Sequence, residues 1–538
     1  MRGHDRSQLF WVLGGTAVMV LVDLGRRILT SNDEARFPLL AQEILARSDW
    51  LFPTLNGAVY HNKPLLFAWL IALVSWPFGH VTQLTAVIPS AVAAFGTALV
   101  IFGAGRDMFG PEAGKYAALV AITTQGVFLH GRLPMPDMLL TFFITGSLWM
   151  LWRMRRGARW AWVGFYAFVG LAFWSKGPGG FLPLAVALAW AVVDRSPGRW
   201  RALRLPGGLA LLALIVAPWP LIGLALHSPG LRRAVMQNQL LWYLPQAFRP
   251  GVVAEPVQNA FGILFPWVLL TPLVLVEAWR RVRERGAERD AVFLLLVSSA
   301  TMFVVIALSH QQRFRYYLPL VAPIALLVGW WASGVVERMP VPRIPWRVYG
   351  VAGALLAATG VVAAIFRRNA LRELATDWLA YAAQAIVLVA MLAAVAVALA
   401  VGPCAGRMRR AVAAAWVGSA VLVASGYHWD IERRNAAYDY PRLQERMQPI
   451  LRETPVVATL GLADMPLSFY LGRRVVPAVT HADLREVVRG ATPAVAIVSD
   501  RALASMGADD AFTVLLRDNI ASRPIAVVGY RPASPQRQ

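Results

Sequence analysis

The sequence predicts an α-helical polytopic membrane protein of about thirteen transmembrane helices, with interfacial helices in its first outer loop and a small C-terminal α/β domain. Three observations lead there. Hydrophobic residues make up 57% of the 538 positions and charged residues 15%, with a mean hydropathy of +0.52, which is more apolar surface than a water-soluble globule can hide. Apolar runs long enough to cross a bilayer recur along the chain, and the loops between them alternate between arginine-rich and arginine-poor. Beyond Tyr427 short β-type runs alternate with charged helical stretches.

Runs of spanning length, about 17 to 25 residues, lie near 9–28, 83–104, 114–130, 137–152, 160–174, 179–194, 207–226, 259–277, 291–308, 316–335, 348–366, 378–401 and 410–426. The first is too long for a signal peptide and lacks a small-residue cleavage site, so it reads as a retained anchor. With the N-terminus inside, the inner loops carry Arg106 and Lys115, then Arg153, Arg155, Arg156 and Arg159, then Arg195, Arg199, Arg201 and Arg204. Three more carry Arg280 to Arg289, Arg338 to Arg347, and Arg407 to Arg410. The net charge of +22 therefore serves orientation, and a nucleic-acid partner is rejected. Cys404 is the single cysteine, which excludes internal disulfides and a cysteine metal cage.

Cations on the outer side oppose the insertion bias and need another purpose. They are Arg36, Arg47, Lys63, Arg132, Lys176, Arg232, Arg233, Arg249, Arg313, Arg315, Arg367, Arg368 and Arg372. Several stand beside acids or aromatics, which implies an anionic partner on that face. Two outer loops are long, 29–82 and 227–258. In the first, Ala41 to Ala46 and Leu65 to Phe78 read as helices lying in the interface, with Trp50, Trp69 and Trp76 at headgroup level. Were Leu65 to Phe78 to cross the membrane, every later arginine cluster would fall outside. A boundary near residue 426 divides the membrane domain, 1–426, from a soluble accessory domain, 427–538, in which no catalytic signature is found.

Acids at the mouth of a bilayer are costly to place and functional by default. Asp33 and Glu34 follow the first span directly; helix capping is the plainer use for Asp33, and it is compatible with a cleft-facing role. Lys63, in Tyr60-His61-Asn62-Lys63-Pro64, is either a snorkelling anchor or a functional cation. Asp137 opens the fourth span, where a helix-dipole role is worth only about 0.3 to 1 kcal/mol. Lys176, in Ser175-Lys176-Gly177-Pro178-Gly179-Gly180, lacks phosphate-loop spacing but presents a cation beside flexible backbone.

Taken in order, Asp33-Glu34-Ala35-Arg36-Phe37, Asp49-Trp50-Leu51-Phe52-Pro53, Leu55-Asn56-Gly57, Tyr60 with Lys63-Pro64, Pro136-Asp137, Ser175-Lys176-Gly177, Ala217-Pro218-Trp219-Pro220 and Arg315-Tyr316-Tyr317-Leu318-Pro319 resemble the lipid-dependent GT-C glycosyltransferases. Among these the chain is most similar to the aminoarabinose transferases of lipid A and the broader protein O-mannosyltransferase-like family. The resemblance covers about residues 10–330. It implies transfer of a sugar from a polyprenyl-phosphate donor to a lipid, glycan or protein acceptor at the periplasmic face of a bacterial inner membrane.

By the same resemblance Asp33 is the principal catalytic acid, with Arg36 beside it, and Asp137 the second. Lys63 contacts the donor phosphate, and Tyr60 with Tyr316 or Tyr317 are donor-site tyrosines. Lys176, Arg313 and Arg315 join the substrate-binding set; Glu34, Asn62 and His310 are secondary. Two departures stand out, Asn62 where those transferases carry glutamate and Asn238-Gln239 where they tend to carry histidine. Both weigh against the specific lipid A activity and against a structural zinc. No metal site is assigned, and a divalent cation stays open as a cofactor.

Elementary chemistry asks for the same groups. Displacing a lipid phosphate from a sugar carbon needs cations on the leaving anion and a carboxylate at the acceptor or at developing positive charge. The competing function is a transporter or flippase of a lipid-linked anion, which would favour midplane charges and paired repeats. No repeat is found.

Overall fold

The computed structural model describes residues 3–221, 254–336 and 405–531, apart from a few single positions and short gaps, together with six residues between 382 and 388. The expected span 348–366 lies outside the described residues, as do all but six residues of the span 378–401, most of the loop 227–258 with Asn238 and Gln239, and also His310 and Cys404.

The chain is a bundle of apolar helices topped by a sheet near its C-terminus. The helices that build the bundle are α1 (Gly3–Leu21), α2 (Asn32–Arg47), α3 (Leu66–Ser75), α4 (Gln83–Phe109), α5 (Pro111–Ile122), α6 (Gln125–His130), α7 (Asp137–Arg155), α8 (Ala161–Lys176) and α9 (Leu182–Val193). They continue with α10 (Arg199–Ala202), α11 (Leu205–Val216), α12 (Ala254–Leu264), α13 (Thr271–Arg283), α14 (Arg289–Ala307), α15 (Val321–Val336) and α16 (Ala405–Ala437). Among the described residues, four stretches are long and apolar enough to cross a membrane by length and composition: Gln83–Phe109, Arg289–Ala307, Phe314–Val336 and Met408–Arg452.

The helices depart from the expected spans where composition carries no information. The run 9–28 ends early, at Leu21, so Arg26 and Arg27 lie beyond the helix. The runs 114–130 and 259–277 are each broken, the first at Thr123–Thr124 and the second at the cis peptide Phe265-Pro266. The two breaks face each other. Gln125 N–H donates to the Phe265 carbonyl at 2.8 Å, and Trp267 Nε1 donates to Thr123 Oγ1 at 3.0 Å. Polar groups released by one break are thus satisfied at the other, the condition for irregular backbone in an apolar bundle.

The loop after α1 folds onto the bundle. Ser31, with extended backbone, caps α2 by accepting from Glu34 N–H, and Asp33 and Glu34 occupy the first turn, where the helix dipole favours acids. One face of α2 buries Phe37, Leu40, Ala41 and Ile44. Phe37 meets Phe67 of α3 edge-on at 5.4 Å. Between them a small hairpin pairs β1 (Thr54–Leu55) with β2 (Ala58–Val59), turning at Asn56 and Gly57, both at positive φ.

Beyond α16 come α17 (Tyr440–Arg452), β3 (Val456–Leu460), α18 (Asp464–Leu471), β4 (Val475–Ala478), α19 (His481–Arg489), β5 (Ala494–Ser499), α20 (Asp500–Met506), β6 (Phe512–Ile520) and β7 (Arg523–Tyr530). The sheet order is β4-β3-β5-β7-β6. β3 runs parallel to β4 and β5, and β7 antiparallel to β5 and β6. Side chains alternate along the central strands, so Val457, Val495, Ile497 and Val527 feed one apolar cluster while Ala458, Ala496, Val498 and Val528 feed another.

Candidate active site

Because Ser31 takes the capping role, both Asp33 oxygens are left for other partners. Oδ2 accepts from Arg313 Nη1 at 3.1 Å and from Arg315 Nη2 at 2.8 Å, and Oδ1 lies 3.1 Å from Arg36 Nη2. Burial alone would push the Asp33 carboxyl upward, yet Arg315, Arg36 and Arg313 together hold it below the ordinary carboxylate value.

The second acid, Asp137, is the first residue of α7 and 2% exposed. Its Oδ1 accepts from Lys176 Nζ, which comes from the last residue of the antiparallel neighbour α8. The glycines after Lys176 make this placement: Gly177, at φ +85°, ends α8, and a Cβ on Gly180 would overlap the backbone of Phe173. Lys176 also stands 4.3 Å over the ring of Tyr316. Arg315 links the two acids, with Nη2 on Asp33 and Nε 3.8 Å from Asp137 Oδ1.

Lys63 completes the wall from the loop after β2. Burial, and then the neighbouring Lys176, push its pKa down to about 8, against the upward pull of Asp137. Behind it Tyr60 is buried beside Arg36, and burial pushes its hydroxyl up to about 12. The resulting cavity is about 210 Å³ and is lined by Asp33, Arg36, Asn62, Lys63, Asp137, Lys176, Arg313, Arg315 and Tyr316. A larger cavity of about 560 Å³ meets it at Asp33, Met135, Arg313 and Arg315, and extends to Arg27, Tyr427 and Arg434. Asp33, Arg313 and Arg315 therefore line both chambers.

Three residues singled out in the sequence are placed elsewhere. Tyr317 is fully buried away from the cavity, donating to Gln312 Oε1 at 2.5 Å and packing on Phe303. Glu34 faces the larger chamber and holds the turn before α2: its carboxylate accepts from Arg27 Nη2 at 2.8 Å and from the Thr30 N–H at 2.8 Å. Arg132, expected among the anion-binding cations, is spent on backbone, since its guanidinium donates to the carbonyls of Val22, Phe128 and Met19 and lies 3.5 Å over the Phe128 ring. Arg27 was not among the candidates; its place beside an acid at the end of an apolar run is the signal that would have found it.

A divalent cation does not fit these groups. Asp33 and Asp137 are already engaged by guanidinium and ammonium groups, and among the described residues no cluster of three or more His, Cys, Asp or Glu side chains gathers.

Residues 62–222 match the protein family described as dolichyl-phosphate-mannose-protein mannosyltransferase. Among curated relatives, the undecaprenyl phosphate-alpha-4-amino-4-deoxy-L-arabinose arabinosyl transferase of Edwardsiella ictaluri is 29% identical over 340 residues, which are 59% of this chain and 57% of the relative. Transferase 1 of the same name from Pseudomonas fluorescens is 28% identical over 64% of this chain and 63% of its own. The chain thus matches less than two thirds of the length of these relatives. The crystal structure of ArnT from Cupriavidus metallidurans bound to undecaprenyl phosphate superposes with a TM-score of 0.73 at 22% identity, covering 97% of each chain. The archaeal oligosaccharyltransferase AglB from Archaeoglobus fulgidus superposes with a TM-score of 0.50 at 13% identity, covering 91% of this chain and 69% of its own. The chain resembles these lipid-dependent transferases in sequence and has the ArnT-like GT-C fold of a multi-pass membrane protein.

Proposed function

We propose that this protein is an integral-membrane glycosyltransferase that moves a sugar from a polyprenyl-phosphate donor to an envelope acceptor. The convergence of Asp33, Asp137, Lys63, Lys176, Arg36 and Arg315 on one cavity carries the reading. In the reaction an acceptor oxygen bonds to the sugar carbon as the bond from that carbon to the phosphate oxygen breaks. The electron pair leaves with the polyprenyl phosphate, and a single displacement inverts the carbon. Lys63, with Arg36 and Lys176, holds the leaving phosphate, where charge-assisted bonds strengthen as negative charge develops. Asp33 sits where the chambers meet, so one substrate occupies each side. A transporter has less support, because these charged groups gather at helix ends and turns rather than along a path through the bundle.

The state of Asp33 bears on the acceptor. A carboxylate held below its ordinary pKa by three arginines is a weak base. It suits an acceptor that is already ionised, such as a phosphate, which Asp33 and its arginines would orient without removing a proton.

In this reading the chain has about thirteen spans, divides at residues 1–426 and 427–538, and lies in a bacterial inner membrane with the cavity and the C-terminal sheet facing the periplasm. The test is direct. Purified protein incubated with polyprenyl-phosphate sugars and envelope extracts should consume donor only when acceptor is present, followed by mass spectrometry. Donor that persists with every extract would overturn the proposal.

A further inference from the structure

The helices that bring Asp137 and Lys176 together also form a second charged cavity at their opposite ends. α7 runs from Asp137 to Arg155, a length of about 28 Å at 1.5 Å per residue, close to the thickness of a bilayer core. α8 returns from Ala161 to Lys176. At the end remote from the two acids, the α7–α8 turn and the segment between α9 and α11 enclose a cavity of about 370 Å³. Five arginines line it, Arg155, Arg159, Arg199, Arg201 and Arg204, and among the described residues no acidic residue does.

Only Arg155 is neutralised, by Asp194 at 2.6 Å and by Asp290. The other four have no acidic partner among the described residues. Arg199 is held in place by donating to the Ala191 carbonyl at 2.7 Å and the Ser196 carbonyl at 3.2 Å. A second observation is independent of charge: Trp190 lines the same cavity at 2% exposure, and its indole N–H has no hydrogen-bond partner among the described residues. A buried donor without an acceptor is unfavourable unless something supplies one. Orientation bias explains arginines in loops, but neither their convergence around a void nor the unpaired indole.

We propose that this cavity binds the phosphate of an anionic phospholipid headgroup, a site separate from the cavity of Asp33 and independent of the transferase reading. Trp160 and Trp200, 64% and 43% exposed on the same two segments, place it at the headgroup level that tryptophan favours. Basic pockets between membrane helices recognise such headgroups.

Native mass spectrometry of the full chain in detergent, with phosphatidylglycerol and phosphatidylcholine in competition, tests it. Phosphatidylglycerol should be retained preferentially, and Arg159→Gln with Arg201→Gln should weaken its retention about fivefold for each arginine removed. Trp190→Phe, which removes only the N–H and part of the ring, should also lower retention, while Arg153→Gln, outside the cavity, should not. Displacement of the lipid by millimolar inorganic phosphate would keep the anion site and assign free phosphate as its source. Equal retention of the two lipids, or retention unchanged in the double variant, would overturn the proposal.

Discussion

Asn32 Nδ2 donates to Asp464 Oδ1 at 2.8 Å, joining positions 432 residues apart. Asp464 is 6% exposed and its other oxygen accepts from Asn56 Nδ2, while Met465 N–H donates to Asn32 Oδ1 at 3.2 Å. One buried carboxylate from the C-terminal region therefore fixes the residue before Asp33 and the hairpin turn that leads to Lys63. Asp464→Ala should slow sugar transfer by roughly tenfold through misplacement of both groups, with the protein still monodisperse. Asn32→Ala with Asn56→Ala should do the same. A fall in melting temperature with an unchanged rate would assign Asp464 to stability alone.

Asp33 is expected to be indispensable for turnover. Asp33→Asn keeps the shape but removes the charge on which Arg36, Arg313 and Arg315 converge. Transfer should fall by about a hundredfold or more, measured as donor consumption by protein that elutes and melts as the parent does. Because the carboxylate is held low, no acid limb from Asp33 should appear in the rate near neutral pH.

How far these groups could be read from sequence depended on whether their cost was local. Asp33, Lys63, Asp137 and Lys176 each stand beside an apolar run, where a charge is conspicuous. Tyr316 and Tyr317 are adjacent in a tight helical turn spanning Phe314–Leu320 and point to different surroundings, so composition could not choose between them. The breaks at Thr123 and Phe265 were hidden because apolar content continues across them and each is satisfied by the other. Asp464 carries no local signal in the sequence, because its partners, Asn32 and Asn56, are remote in the chain. Short-range pattern singles out the charged groups that converge on the cavity and carries no trace of the long-range polar contacts that hold them.

Lys63 sets the expected pH dependence. Its pKa of about 8 means that the free protein loses this cation as pH rises through that value. A phosphate donor favours the protonated form, so above about pH 8 binding must take up a proton. The donor KM should then rise, approaching tenfold per pH unit, while kcat at saturation changes less. Lys63→Arg keeps its charge to much higher pH and should remove that limb. A donor KM flat from neutral pH to well above pH 8 in the parent protein would refute the assignment of Lys63 to the phosphate.

The pair of Lys176 and Asp137 makes a prediction that separates folding from chemistry. Both side chains are nearly inaccessible, at 8% and 3% exposure, and Arg315 Nε, 3.8 Å from Asp137 Oδ1, is the nearest other guanidinium group in an ion pair with it. Lys176→Ala would strand a buried carboxylate, a defect worth about 3 to 5 kcal/mol. Adding Asp137→Asn removes the stranded charge, so the double variant should recover much of that stability while remaining inactive. Thermal unfolding in detergent reads the first effect and donor consumption the second. Should the double variant melt no higher than Lys176→Ala alone, the pair would not be the electrostatic unit that its geometry indicates, and loss of the lysine ammonium from the face of the Tyr316 ring would account for the change.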